Sequence, residues 1–261
     1  MQPPGRDALV TRCRHALVTG GGRGIGAAIA RALTAAGVVV TVAGRTEAPL
    51  RAAVDEGIAA GFCTIDVTDA ASITSGLADA VAARGDVDIL VNNAGAVETA
   101  PFARLQRATW DRLIAVNLTS VFLMTQAVLP GMVDRGWGRV VNIASTAGLK
   151  GYPYVSAYVA AKHGVVGLTR ALALETARSG VTVNAVCPGY ADTELLRESI
   201  AGIVERTAKS EAEVIGRFTA SNPQGRLVLP GEVAAAVLYL CSPGAEAITG
   251  QSLAIAGGEV T

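Results

Sequence analysis

The chain has 261 residues, of which 51% are hydrophobic and 17% are charged, and its 22 basic and 22 acidic residues cancel. This length and apolar content suffice for one large domain with a buried core, and the balanced charge argues against a nucleic-acid surface. The first residues mix prolines with charges and lack the apolar core of a secretory signal, and no uninterrupted apolar run predicts a membrane span. We therefore expect a loose extension at 1–14, a single domain at 15–261 and a cytoplasmic protein.

The first predicted unit is a strand, a glycine-rich turn and a helix. His15–Thr19 is a short apolar run, and the alanine-rich stretch that ends at Gly37 favours a helix. Glycines let the backbone approach a pyrophosphate, and a helix N-terminus offers free N–H groups with partial positive charge. The spacing is G-x-x-x-G-x-G instead of the common G-x-G-x-x-G, but the flanking strand and helix favour phosphate binding over a flexible turn. The predicted phosphate-binding residues are Gly20, Gly22, Arg23, Gly24, Ile25 and Gly26.

The second predicted strand, at 38–43, is followed by Arg45. At this point of a dinucleotide fold an acidic residue would bind a ribose 2′-hydroxyl, whereas an arginine suits a 2′-phosphate. A guanidinium grips phosphate through paired hydrogen bonds, and Arg23 in the glycine turn is a second cation for the same group. Glu47 lies close by, and either arginine alone is compatible with a solvated side chain. The pattern favours NADP(H) over NAD(H).

Further strand-like runs alternate with helical stretches along the rest of the chain, at 61–66, 87–92, 139–144, 181–187 and 252–256. The alternation predicts an α/β, Rossmann-type, doubly wound parallel sheet of about seven strands with helices on both faces. In such sheets ligands bind beyond the carboxyl ends of the strands. Candidate residues follow the strands at that edge, namely Asp66, Asn92–Gly95, Ser145 and Pro188–Gly189.

Tyr158 and Lys162 lie four residues apart, so they share one face of a helix. A free phenol titrates near pH 10, and a neighbouring ammonium lowers its pKa. Ser145, at the end of a strand, is placed to hydrogen-bond a carbonyl oxygen beside the phenol. Alone, the Tyr-x-x-x-Lys spacing is also typical of a surface helix with a solvated lysine. Beside a nucleotide loop it predicts an acid–base centre that interconverts a ketone and a secondary alcohol.

The four cysteines are widely separated and the two histidines have no partner pattern, so the sequence predicts no metal site.

These ordered motifs resemble the short-chain dehydrogenase/reductase family over about residues 13–258. The resemblance is carried by Thr19–Gly26, by Asn92–Gly95, by the segment 188–193, and by a tetrad of Asn117, Ser145, Tyr158 and Lys162. It implies that the tetrad is catalytic, with Tyr158 as acid or base, Ser145 on the same oxygen, Lys162 tuning the phenol, and Asn117 holding a helix kink and a water.

The resemblance also implies the remaining cofactor contacts. Asp66 and Val67 are expected at the adenine, although a helix N-cap is an equally good interpretation of Asp66. The other expected contacts are Asn93, Ala94 and Gly95 on the adenosine side, Tyr158 and Lys162 at the nicotinamide ribose, and Pro188, Gly189 and Thr193 at the nicotinamide.

The overall likeness is to 3-oxoacyl-thioester reductases that act on acyl-carrier-protein, acyl-CoA or polyketide substrates. It implies NADPH-dependent reduction of a 3-oxoacyl thioester to the 3-hydroxyacyl product. The alternative is a dehydrogenase of another hydroxyacyl-CoA or of a cyclic or aromatic alcohol. A remote alternative is a non-catalytic nucleotide-binding partner subunit, which the complete tetrad opposes.

Three further expectations concern the substrate and the assembly. Arg135, Arg139 and Arg178 are candidate cations for a phosphopantetheine or CoA phosphate, with a solvated helix end as the alternative for each. The stretch 191–223 resembles the family's helical substrate lid, and Tyr152, Pro153 and Tyr154 either line the pocket or pack as an ordinary loop. By resemblance the protein is a homotetramer, with a dimer as the alternative.

Overall fold

The computed structural model describes residues 14–207 and 209–260 and contains one parallel sheet of seven strands. The strands are β1 (His15–Thr19), β2 (Val39–Gly44), β3 (Gly61–Thr64), β4 (Ile89–Asn92), β5 (Gly138–Ile143), β6 (Val181–Pro188) and β7 (Ser252–Ile255). Their order across the sheet is β3-β2-β1-β4-β5-β6-β7. The predicted fold class is confirmed, and the predicted strand ends lie within two residues of the observed ones.

Nine α-helices lie in the described part of the chain: α1 (Gly24–Ala35), α2 (Glu47–Asp55), α3 (Ala70–Arg84), α4 (Arg107–Ile114), α5 (Ser120–Asp134), α6 (Ser156–Glu175), α7 (Glu194–Thr207), α8 (Glu211–Thr219) and α9 (Pro230–Cys241). Residues of α1, α2 and α9 pack on one face of the sheet, and residues of α3, α5 and α6 pack on the other. The central strands contribute to both cores because neighbouring side chains point to opposite faces. Ala16 and Val18 of β1 belong to the first core and Leu17 to the second.

The helix between β4 and β5 is long and interrupted by a π-helical turn at Ala115–Thr119, which joins α4 to α5. Arg107–Asp134 is long and apolar enough to cross a membrane by length and composition, which corrects the expectation that no such segment exists. In this fold, however, Met124 and Met132 of the helix are fully buried against the sheet. A core helix passes the same composition test, so the segment is accounted for by the packing of the domain.

Paired charges occupy the amino ends of the central strands. Arg14, the last residue of the expected extension, forms an ion pair with Asp88, and its guanidinium lies 3.7 Å from the centroid of the Trp137 ring. Arg135 also pairs with Asp88, at 3.8 Å. Arg139 is 2% exposed, and its guanidinium also lies near this ring, 4.4 Å from the Trp137 centroid. The rest of the extension, residues 1–13, lies outside the described residues.

The prediction that Arg135, Arg139 or Arg178 binds a substrate phosphate was wrong. Arg135 precedes β5, Arg139 is its second residue, and Arg178 lies exposed between α6 and β6. In a parallel sheet a residue that precedes a strand lies at the edge opposite to a residue that follows one. All three therefore lie at the amino edge, away from the predicted ligand edge.

Candidate active site

The glycine-rich loop after β1 is shaped for close approach of a bulky anion. Gly20 and Gly24 have φ of +65° and +55°, a region that side chains disfavour. A Cβ on Gly26 would lie 2.2 Å from the carbonyl oxygen of Gly20, so only glycine fits between the loop and α1. The first turn of α1 contains no acidic residue and its N-cap makes no side-chain bond. Its N–H groups are therefore free to bind phosphate, as predicted for this loop.

The two arginines predicted for a 2′-phosphate are exposed at the ends of β1 and β2. Glu47, the one acidic neighbour that argued against them, forms an i,i+4 pair with Arg51 instead. Among residues 14–207 and 209–260, neither Arg23 nor Arg45 has an ion-pair partner within 4.0 Å. Arg45 is close enough to Asp66 to contribute to lowering its pKa, after the larger contribution of Thr68. Both guanidinium groups are thus exposed and not paired with a carboxylate among these residues.

Asp66 and Val67, expected at the adenine, differ in how they are held. The Asp66 carboxylate accepts hydrogen bonds from the N–H of Thr68 at 2.9 Å and from its hydroxyl at 2.7 Å. The N-cap of α3 is Asp69, whose side chain accepts from Ala71, so the capping interpretation belongs to Asp69. The Val67 side chain is buried in the core, which leaves only its backbone for a ligand.

The Asn-Asn-Ala-Gly segment after β4 ties that strand to the phosphate loop. Asn93 donates its side-chain amide to the carbonyl oxygens of Thr19 at 2.9 Å and Gly20 at 3.2 Å. The Thr19 hydroxyl in turn accepts from the N–H groups of Asn93 and Ala94, both at 3.0 Å. Asn92 is buried and donates to Asn142 across the sheet at 2.9 Å. The segment therefore supports the central sheet as predicted.

Tyr158, Ser145 and Lys162 meet where β5 and α6 face each other. The Lys162 Nζ lies 5.6 Å from the centroid of the Tyr158 ring and donates to the Ile143 carbonyl oxygen at 2.7 Å. Burial raises the pKa of Tyr158, and a hydrogen bond with Ser145 partly opposes that rise. Burial also lowers the pKa of Lys162 to about 8. The pKa of the phenol is therefore raised, and not lowered as the Tyr–Lys spacing predicts, because desolvation disfavours the phenolate.

Asn117 lies in the π-helical turn, and its amide links that turn to the segment after β4. Its Oδ1 accepts from the Ala96 N–H at 3.1 Å, and its Nδ2 donates to the carbonyl oxygens of Ala96 at 2.8 Å and Leu113 at 2.9 Å. Gly95 lies between this amide and the lysine: a Cβ there would be 2.8 Å from Asn117 Oδ1 and 3.8 Å from Lys162 Nζ. A π-helical interruption lies at Asn117, where a kink is expected, and all four tetrad residues gather at one edge.

A cleft of about 620 Å³ opens beside this centre. Its lining residues are Thr99–Pro101, Tyr152–Val155, Tyr190, Arg217 and Ser221. Of the two interpretations of Tyr152, Pro153 and Tyr154, the structure supports pocket lining. Tyr152 adjoins the centre because its hydroxyl lies 2.7 Å from the hydroxyl of Thr146, the residue after Ser145. The volume is in the usual range for a small-molecule site.

The segment after β6 joins the phosphate loop to this cleft. Pro188 ends β6, the Gly189 N–H donates to Ile255 of β7 at 3.0 Å, and Thr193 lies at the start of α7. A Cβ on Gly24 would lie 3.4 Å from Thr193 Cγ2, so the segment reaches back over the phosphate loop. The stretch 191–223 forms α7 and α8 in its described part, the helical insertion expected of a lid.

The family model for the short chain dehydrogenases matches residues 14–203. The chain belongs to this family. One relative is a protein of Streptomyces coelicolor that is named as a ketoacyl reductase. It is 46% identical over 252 residues, which cover 93% of this chain and 95% of that protein. An acetoacetyl-CoA reductase of Rhizobium meliloti is 44% identical over 248 residues, covering 94% and 98%. A solved point variant of actinorhodin polyketide ketoreductase with NADPH has a TM-score of 0.90 and 43% identity, covering 98% of this chain and 99% of that one.

This short-chain dehydrogenase is therefore an oxidoreductase that uses a nicotinamide cofactor, and its phosphate loop and unpaired arginines fit such a group. Three residues that sequence reasoning missed are also near the site: Tyr190, Arg217 and Glu259. Tyr190 follows the Pro188–Gly189 pair, which is a usable signal. Arg217 and Glu259 belong to α8 and to the chain end, and only the fold brings them to the cleft.

Proposed function

We propose that this protein is an NADPH-dependent reductase of 3-oxoacyl thioesters, with Asn117, Ser145, Tyr158 and Lys162 as its catalytic residues. The observation that carries the proposal is the meeting of Tyr158, Ser145 and Lys162 beside a cleft of about 620 Å³, with the Lys162 Nζ 5.6 Å from the centroid of the Tyr158 ring. A protonated phenol is the form that donates to a carbonyl oxygen. General acid catalysis of this kind contributes about 10²–10⁴-fold.

Each tetrad residue has a distinct task in this proposal. Ser145 shares the carbonyl oxygen with Tyr158 and orients it, while Lys162 binds ribose hydroxyls and supplies positive charge near the phenolate that forms. Asn117 holds the π-helical turn through Ala96 and Leu113. When bound, the nicotinamide supplies the hydride for the carbonyl carbon. Its phosphates are assigned to the glycine loop and its nicotinamide to Pro188, Gly189 and Thr193.

NADP(H) is assigned over NAD(H) on the exposed arginines at the ends of β1 and β2. The pyrophosphate is neutralised by N–H groups of α1, so Arg23 and Arg45 remain for a 2′-phosphate. Asp66 and the backbone of Val67 are assigned to the adenine, and Asn93–Gly95 to the adenosine side.

Arg217 supports a substrate that carries a phosphate. It is exposed, lines the cleft and forms no ion pair within 4.0 Å among the described residues. A thioester carried on CoA or on phosphopantetheine has a phosphate at the end of a flexible arm, and a guanidinium is the preferred protein partner for such a group. Arg217 thus replaces the three arginines of the amino edge as the candidate phosphate contact.

A second candidate function, reduction or oxidation of a cyclic or aromatic substrate, is favoured by the aromatic wall of the cleft. The Tyr152 and Tyr190 rings meet edge-on with centroids 6.4 Å apart, and Tyr190 meets Phe218 at 5.0 Å. Aromatic faces and edges suit a ring as well as an acyl chain.

Steady-state reduction of acetoacetyl-CoA with NADPH and with NADH, side by side, tests the proposal. We expect turnover with a higher kcat/KM for NADPH. Turnover of cyclic ketones or secondary alcohols without any turnover of the thioester would transfer the assignment to the second candidate. The Tyr158→Phe protein is the control for contaminating activity.

A homotetramer in the cytoplasm, with a dimer as the alternative, completes the proposal. Phe122 on α5 is 45% exposed and Leu174 on α6 is 82% exposed, so both long helices present apolar side chains to a second copy. Sedimentation equilibrium at several concentrations distinguishes the monomer, dimer and tetramer.

A further inference from the structure

Glu259, near the end of the chain, has a carboxylate that is almost completely buried beside the cleft. Its side chain is 2% exposed. Burial of a carboxylate is unfavourable unless several donors surround it. The donors that compensate such a group are held in place by it, so a buried carboxylate can fix separate segments relative to one another.

Three donors from two separate segments converge on one oxygen of this carboxylate. Glu259 Oε1 accepts from the Tyr152 hydroxyl at 2.5 Å and from the Ser221 hydroxyl at 2.6 Å, and it forms an ion pair with Lys150 at 3.0 Å. Lys150 and Tyr152 belong to the loop between Ser145 and α6. Ser221 lies just beyond α8, at the end of the helical insertion.

The second oxygen explains a glycine of the nicotinamide segment. A Cβ on Gly189 would lie 3.1 Å from Glu259 Oε2, so any side chain there would crowd the carboxylate. Burial alone would raise the pKa of Glu259, but hydrogen bonds from Ser221, Tyr152 and Lys150 outweigh it and hold the pKa below its ordinary value. The carboxylate is therefore charged at neutral pH and each donor bond is charge-assisted.

Tyr152 connects Glu259 to the catalytic centre. Its hydroxyl donates to Glu259 and accepts from the Thr146 hydroxyl at 2.7 Å, and Thr146 follows Ser145. Its ring lines the cleft and meets the Tyr190 ring edge-on. One carboxylate thus fixes a wall of the cleft, the residue beside Ser145 and the end of the helical insertion.

We propose that Glu259 is a positioning residue for the ketone substrate: acting through Tyr152 and Ser221, it fixes the cleft wall and the end of the α7–α8 insertion relative to Ser145 and Tyr158. The proposal rests on the cleft being the substrate site, as in the proposed function. It assigns the C-terminal tail, which contributes no tetrad residue, a part in substrate binding.

The test compares Glu259→Ala and Glu259→Gln with the unaltered protein, using acetoacetyl-CoA and a bulky cyclic ketone as substrates. Glu259→Ala removes the charge-assisted hydrogen bonds. It should therefore raise the KM about tenfold or more for whichever of the two ketones the unaltered protein reduces. The dissociation constant of NADPH, measured by fluorescence titration, should change less than about twofold, since no phosphate contact is touched. Glu259→Gln keeps an acceptor oxygen and the volume of the side chain, so it should recover part of the loss and serves if Glu259→Ala does not fold.

Two further comparisons separate positioning from general loosening. Tyr152→Phe keeps the ring but removes the donor, and if Glu259 acts through it the double variant should be no worse than Glu259→Ala alone. Glu246→Ala, which removes a carboxylate that caps the Gly244 N–H far from the cleft, is the matched control and should leave KM unchanged.

An unchanged KM in Glu259→Ala, or a rise in the NADPH dissociation constant equal to the rise in KM, would overturn the proposal. So would strictly additive effects of the Glu259 and Tyr152 variants. Failure of the proposed function is distinguishable, because the unaltered protein would then fail with the thioester while the cyclic ketone still reports on Glu259.

Discussion

At the amino edge of the sheet, Arg14 and Arg135 share Asp88, and Arg139 lies over Trp137. At the carboxyl edge, exposed arginines stand without an ion-pair partner among the described residues: Arg23, Arg45 and Arg217. Both edges are rich in cations, and residue type alone makes the cations of either edge candidates for binding a phosphate group. The difference in pairing separates Arg14 and Arg135, which hold the fold together, from cations that remain available to a ligand. Arg178 of the amino edge is exposed and forms no ion pair among the described residues, and only its position before β6 sets it apart.

The tyrosine–lysine centre sharpens this contrast. At the carboxyl edge Lys162 is buried and donates to the carbonyl of Ile143, and within 14–207 and 209–260 it forms no ion pair with a carboxylate. Its charge is therefore only partly compensated by the protein. At the amino edge the buried His15 is matched on both nitrogens, by Gly85 and Thr41. Incomplete compensation is typical of functional sites, where a substrate or cofactor supplies the missing partner.

The largest effect is expected from a substitution at the chemical centre of the carboxyl edge. Tyr158→Phe removes the proton donor and should lower kcat by about 10²–10⁴-fold, while the dissociation constant of NADPH changes little. Tyr239→Phe, an exposed tyrosine of α9, is the matched control and should retain full activity. Undiminished turnover in Tyr158→Phe would remove the phenol from the mechanism.

The second effect concerns stability and pH. Burial lowers the pKa of Lys162 to about 8 from the ordinary value of 10.5. Between these two pH values the unfolded chain binds more protons than the folded one, so stability rises with pH there, whereas well below pH 8 Lys162 contributes no pH dependence. From pH 7.5 to 9.5 the free energy of unfolding should gain about 2 kcal/mol more in the unaltered protein than in Lys162→Met.

Urea denaturation of both proteins at the two pH values gives this difference directly. Equal gains would mean that Lys162 is solvated in the folded protein and that its charge is already compensated.

The third effect tests the cations at the ends of β1 and β2. Arg45→Ala should lower the ratio of kcat/KM for NADPH to kcat/KM for NADH by about tenfold, because a charge-assisted phosphate contact is lost. Arg51→Ala is the control from the same region, since Arg51 is exposed but paired with Glu47. A ratio that falls equally in both variants would indicate general electrostatics instead of a 2′-phosphate contact.

The smallest effect separates Arg217 from an arginine of the opposite edge. Arg217→Ala should raise the KM of acetoacetyl-CoA by roughly two- to fivefold, since the contact is solvent-exposed, and should not change the KM of a thioester that lacks the phosphate. Arg178→Ala should change neither KM. If Arg217→Ala affects both substrates alike, the side chain contributes to the shape of the cleft and not to phosphate binding.

Much of the fold was predictable because strand periodicity and glycine placement are local properties. The order of the tetrad along the chain also placed Ser145, Tyr158 and Lys162 at one edge. The three amino-edge arginines were misplaced although strand direction alone excludes them: Arg135 precedes β5 and Arg139 is its second residue. The arginine side chains suggested phosphate binding, but the direction of the strands should have excluded it.

Other features depend on distances that no local pattern contains. Glu259 reaches the cleft because it follows β7, which pairs with β6, and Arg217 reaches it because its neighbour Phe218 in α8 packs on Tyr190 beyond β6. The pKa of Tyr158 is set by desolvation, which spacing from Lys162 does not reveal. Residues that act through long-range packing were therefore missed, whereas residues that follow strands were found.

The π-helical turn at Ala115–Thr119 changes the angle at which the side chains of the long helix face the sheet before and after it. A π turn contains about one residue more than an α turn, and each residue corresponds to about 100° of rotation. No single helical wheel describes Arg107–Asp134, because Leu113 is buried in one phase and Met124 and Met132 in the next. Deleting one residue from the turn would merge the two phases and rotate one apolar stripe off its partner. Asn117 thus sets the angular offset between two helices that otherwise look like one.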